Sequence, residues 1–139
     1  MMEPNKNLRI STMTLVSGIS SHIVLQKLYD NINHSDLFRY IEFGLNPTKG
    51  ERIKKIKNPR KIKEKKFFYN QMTIHVFKGK IVNVKVFNNG TIQMTGLKTK
   101  QQGLDIIQLF LGELKKIPKD KLETILDNIN PEAKESKIV

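Results

Sequence analysis

The chain has 139 residues, 25 Lys or Arg against 13 Asp or Glu, a formal net charge of +12 and no cysteine. That length holds one domain with a real core but not two of ordinary size. Without cysteine there are no disulfides or thiolate metal sites, and three scattered histidines, His22, His34 and His75, leave no metal set, so no cofactor is expected.

The start lacks the basic region and apolar run of a secretory signal, and nowhere do 18 apolar residues follow one another, so the sequence reads as a soluble intracellular protein without a membrane partner. The positive excess is concentrated: Lys49 to Lys66 holds ten basic and two acidic residues, a net +8. A polyanionic partner is one reading of such a run and a solvated loop is another.

Leu8 to Ser17 is β-branched and aliphatic up to Gly18, which predicts a strand. Ser20 and Ser21 are candidate caps for a helix running to about Ile32, with His22 in its first turn as an exposed, satisfied side chain. Ser35-Asp36 can cap a second short helix carrying Leu37, Phe38 and Tyr40, followed by a short strand that ends at Asn46-Pro47. Thr48 to Lys66 has no apolar period and contains Gly50 and Asn58-Pro59, so a long loop is expected.

From Phe67 to Phe77 alternation returns. Asn70, Met72, Ile74 and Val76 form the core set, and Phe67, Tyr69, Gln71, Thr73 and His75 the other. After a turn at Lys78-Gly79-Lys80, Val82, Val84 and Val86 alternate with Asn83, Lys85 and Phe87, and beyond Asn89-Gly90 the same pattern continues with Ile92 and Met94 against Thr91, Gln93 and Thr95. An Asn-Gly pair between alternating runs predicts a hairpin with a two-residue turn. Thr99 should cap a helix with Leu104, Ile107, Leu111 and Leu114 on one stripe, widened by Ile106 and Phe110. Pro118 ends it and opens a short helix to about Ile129, and the residues after Asn130-Pro131 read as a polar tail. The predicted fold class is α+β: a five-stranded antiparallel sheet with helices on one side and one face left open.

STMTLV, RYIEFGLNP and above all VKVFNNGTIQMTGLKT before an amphipathic helix resemble one repeat of the TATA-box-binding protein family, and the Asn-Asn-Gly turn with the long basic insertion looks most similar to the TATA-binding-like proteins of large cytoplasmic DNA viruses. The resemblance covers roughly Leu8 to Ile117. It implies a repeat over 1–117 with a basic insertion at 48–66, while 118–139 is an extra helix and tail. In that family two repeats form a saddle whose curved sheet enters the minor groove and whose aromatic wedges open base steps.

Carried over by position, the resemblance makes Phe87 one wedge and Tyr69 or Phe67 the other. It places Gln93 and Thr95 on the groove-lining strand and continues the first strand's face with Ile10 and Thr12. Leu8 stands where the family repeat has an asparagine. Asn83, Lys85, Gln71 and His75 replace a mostly aliphatic face, which implies an altered base preference. Lys54, Lys55, Lys57, Arg60, Lys61, Lys63, Lys65 and Lys66 would lie beside the wedge and hold backbone phosphate.

The resemblance implies a non-catalytic transcription initiation factor binding A·T-rich promoter duplex, with a transcription-factor-B-like protein and an RNA polymerase as partners. Its location would be the cytoplasmic viral factory, the nucleus or the virion. A saddle needs two repeats, through a homodimer joined at the first strand or through a second repeat, and Lys137-Ile138-Val139 reads as the start of another strand. Two other readings stand beside this one: a protein-interaction domain that has lost DNA binding, and the nucleic-acid grip of a larger enzyme.

Overall fold

The computed structural model describes residues 12–50, 70–77 and 79–139. Its elements run β1 (Met13–Gly18), α1 (Leu25–Asn31), β2 (Phe38–Glu42), β3 (Lys49–Gly50), β4 (Gln71–Phe77), β5 (Ile81–Phe87), β6 (Thr91–Leu97), α2 (Lys100–Lys115), α3 (Lys119–Ile125) and β7 (Lys137–Ile138). The architecture is α+β: a seven-stranded sheet in the order β3-β2-β4-β5-β6-β1-β7, antiparallel at every pairing. The two strands beyond the expected five are the two-residue β3 and β7, too short to carry an alternation.

Period-2 burial builds the inner strands. Met72, Ile74 and Val76, then Val82, Val84 and Val86, then Ile92 and Met94 are buried on one face, with Leu15 of β1 and Ile41 of β2. Leu25, Leu28 and Tyr29 of α1, Ile106, Ile107, Phe110, Leu111 and Leu114 of α2, and Leu122 and Ile125 of α3 join the same core. Burial of this kind contributes about 25 cal/mol per Å² of apolar surface. In the first turn of α2 it is Gly103, not Leu104, that is buried with these residues: a Cβ there would run into Leu15 and Leu97, so its absence lets the helix sit close.

The α2 start follows the prediction. Thr99 accepts from Gln102 N at 3.2 Å and the Gln102 side chain accepts from Thr99 N at 3.2 Å, a complete capping box. Three other expectations are corrected. First, Ser20 and Ser21 do not cap α1. That helix begins only at Leu25 with no side-chain cap, because the preceding chain is extended: Ile23 N donates to Asn88 O and Val24 N to Ile125 O. Second, Ser35-Asp36 opens no helix. Ser35 Oγ accepts from Phe38 N and the chain enters β2 directly, since pairing with β4 outweighs a weak local cap.

Third, the β5–β6 turn has three residues. Gly90 N donates to Phe87 O at 3.0 Å, only Gly90 has positive φ, and Asn89 Oδ1 accepts from Thr91 N at 2.9 Å. That is the type I turn with a left-handed glycine that often closes three-residue hairpins. α3 ends at Ile125, four residues short of the expected end.

The tail is ordered against β1. Lys134 N donates to Gly18 O, Val139 N to Thr14 O and Ser17 Oγ to Lys134 O, while Leu15 and Val16 pair with Ile138 and Lys137. At the other sheet edge Lys49 Nζ donates to Tyr29 O at 2.5 Å and Ile32 O at 2.6 Å, satisfying carbonyls at the end of α1. Burial lowers the Lys49 pKa below its ordinary value, partly opposed by Asp30. Residues 8–11 of the strand predicted over Leu8 to Ser17, and all of the basic run from Lys49 to Lys66 beyond Gly50, lie outside the described residues.

Candidate nucleic-acid interface

The sheet face opposite the helices is laid out by register. Lys85, on the central strand, is flanked by Thr73 of β4 and Gln93 of β6, and the rung continues to Glu42 on one side and through Val16 to Lys137 on the other. The next rung reads Tyr40, His75, Asn83, Thr95 and Thr14. Gln71 pairs with Phe87 at the β5–β6 turn end, and Phe77 with Ile81 at the opposite end. Gln71, Asn83, Lys85, Phe87, Gln93 and Thr95 therefore share one face, as the alternation predicts. Thr12 is exposed just before β1. Ile10, Phe67 and Tyr69 lie outside the described residues, as do Lys54, Lys55, Lys57, Arg60, Lys61, Lys63, Lys65 and Lys66.

Lys85 and Gln93 are half-buried, and among the described residues neither side chain has a hydrogen-bond or ion-pair partner; the same holds for Gln71, Thr73 and Thr95. A cation held in a sheet face by its neighbours, with its charge unspent, is a ready partner for an anion. Asn83 Oδ1 is buried and accepts no hydrogen bond, so the amide nitrogen is the outward polar end of this residue.

Toward β2 the face changes character. Tyr40 and His75 are 4 % and 7 % exposed, their rings lie 4.9 Å apart, and Tyr40 OH donates to Glu42 Oε1 at 3.0 Å. At the far end Arg39 stacks its guanidinium 3.9 Å from the Phe77 ring centroid. Sequence alone does not single out Tyr40, Glu42, Arg39 or Phe77. A signal exists in the 40/42 alternation, but the residues before it read as helical.

Elsewhere the polar chemistry is structural. Asp127 accepts from Ser21 Oγ at 2.8 Å and His22 N at 3.0 Å, and its other oxygen lies 3.0 Å from His22 Nδ1. The Ser21 hydroxyl bonds the carboxylate and not the imidazole, so these three do not form a nucleophile–base pair. Among the described residues no three His, Asp or Glu side chains cluster as metal ligands, and no helix is long and apolar enough to cross a membrane. A cavity of about 330 Å³ lies between α2, α3 and the tail, lined by Leu111, Leu114, Leu122, Ile129 and Pro131 with Lys115 and Asn130, behind the sheet rather than on its polar face.

No family model, curated protein or solved structure matches this chain.

Proposed function

We propose that this chain is a non-catalytic DNA-binding protein of the transcription-initiation type, built as a TATA-binding-like repeat. It grips duplex in the minor groove with the face of Asn83, Lys85, Phe87, Gln93 and Thr95. The observation that carries the reading is Lys85: it stands on the central strand, half-buried among neutral polar side chains, with no anionic partner among the described residues. The succession strand, helix, four further strands and helix agrees with the resemblance, once β3 and β7 are set aside as edge additions.

Phe87 closes the face at the hairpin turn, where an aromatic can enter a base step. The A·T-rich promoter, the B-like factor, the polymerase and a second repeat are parts of this proposal carried by resemblance alone, and a copy joined at the first strand would have to displace β7, which pairs with the outer edge of β1.

The test is a gel shift of the full chain with A·T-rich duplex, random duplex and single strand across a salt series. Duplex binding whose log affinity falls with log salt by about 0.9 per phosphate contact is the expected result. No binding at low salt would favour a protein-interaction domain of the same fold, and preference for single strand would favour the nucleic-acid grip of a larger enzyme.

A further inference from the structure

We propose that Gln93 makes the groove-facing surface accept guanine, by taking a hydrogen bond from the exocyclic amino group that guanine alone presents in the minor groove. This rests on the DNA-binding reading above and concerns the central base step alone, where the face favours G·C within an otherwise A·T-rich site. In the minor groove A·T and T·A offer acceptors only, whereas G·C adds one donor, the N2 amino group, near the middle of the groove floor. A surface of donors and aliphatic groups leaves that donor unpaired, which costs the desolvation of a polar group.

The central rung of this face holds four side chains that matter here. Lys85 can only donate, Val16 can do neither, Thr73 has a short hydroxyl, and Gln93 has a carboxamide that donates and accepts at the end of a long, adjustable stem. Gln93 has no hydrogen bond to any described residue, so its oxygen is not committed within the fold. It sits directly opposite Lys85 in register, at the centre of the surface and not at its rim. Asn83, diagonal to it, plays a different part: with Oδ1 buried, its outward nitrogen donates to the N3 and O2 acceptors present on every base pair.

Base analogues separate the groups without altering the protein. Replacing guanine with inosine removes the minor-groove amino group from a G·C pair, and replacing adenine with 2,6-diaminopurine adds one to an A·T pair. Using the full chain and duplexes that differ only at the central steps, wild-type affinity is expected to fall by roughly tenfold from G·C to inosine·C, the scale of one good base contact. It should rise by a similar factor from A·T to 2,6-diaminopurine·T. Gln93→Val should abolish the inosine effect and make the added amino group unfavourable, while Asn83→Val should weaken all four duplexes alike.

Equal or tighter wild-type binding to inosine·C than to G·C overturns the inference while leaving DNA binding intact. Failure to bind any of the four duplexes overturns the DNA-binding reading itself, and this one with it.

Discussion

Gly79 and Gly90 both adopt positive φ, 77° and 92°, yet only one of them is enclosed. Among the described residues, apart from its chain neighbours, nothing lies within 4 Å of where a Cβ on Gly79 would be, whereas at Gly90 a Cβ would run into Ser21 O and Ile19 O. Alanine at Gly79 therefore meets only the conformational strain of a left-handed residue, about 1 kcal/mol. Alanine at Gly90 adds a collision with two backbone oxygens that cannot rotate away, and should lose about 2–4 kcal/mol. Urea denaturation of the two variants checks this; equal losses would mean that residues 19–21 move aside freely.

Also at this scale, the Ser21 hydroxyl, then the His22 amide and ring, hold the Asp127 carboxyl below its ordinary value of 3.8. A depressed folded-state pKa contributes stability above the unfolded value and loses it as pH falls through the folded one. The seam joining residues 20–22 to 127–132 should thus weaken below about pH 4. Thermal unfolding of wild type and Asp127→Asn between pH 3 and 6 should show the midpoints converging toward the acid end, and a constant gap would remove Asp127 from the pH dependence.

Among the elements, α2 has the strongest local signal, because both halves of its capping box lie within four residues of sequence. Thr99→Ala should remove about 1 kcal/mol, while Ser20→Ala and Ser21→Ala should leave the start of α1 unchanged, as measured by amide exchange at residues 25–28. Those serines have the chemistry of caps and do not act as caps: apart from the neighbouring His22 carbonyl, their hydroxyl partners, Asp127, Asn128 and Glu132, lie more than a hundred residues away. A sequence read through local windows has no access to such pairings. The three central strands are legible because alternating burial leaves a period that survives single substitutions. Local pattern places β2 late and gives no sign of β3, because edge pairing depends on the neighbouring strand more than on the segment's own residues. The candidate face is legible in its β4–β6 part for the same reason. Its β2 side, where Tyr40 packs on His75, is not.

At the scale of the whole molecule, most of the net positive charge lies outside the described residues. The described residues hold thirteen basic and ten acidic side chains and are together close to neutral, while residues 51–69 hold nine basic and two acidic. Attraction to phosphate, in the proposed function, then belongs mostly to that segment, and groove contact belongs to Asn83, Lys85, Phe87 and Gln93. Replacing Lys54, Lys55, Lys57, Arg60, Lys61, Lys63, Lys65 and Lys66 with glutamine takes the net charge from +12 to +4. This variant should bind duplex more slowly and with a much flatter dependence on salt, by about 0.9 in slope for each phosphate no longer neutralised, at an unchanged bend angle. Phe87→Ala should do the reverse, reducing the bend measured by fluorescence energy transfer while the salt slope holds. Because the two changes touch different terms of the binding free energy, their effects on affinity should add to within a few tenths of a kcal/mol in the combined variant. A basic-run variant that keeps the full salt slope would move the phosphate contacts onto the described residues, where Lys98 and Lys100, exposed at the junction of β6 and α2, become the next to neutralise.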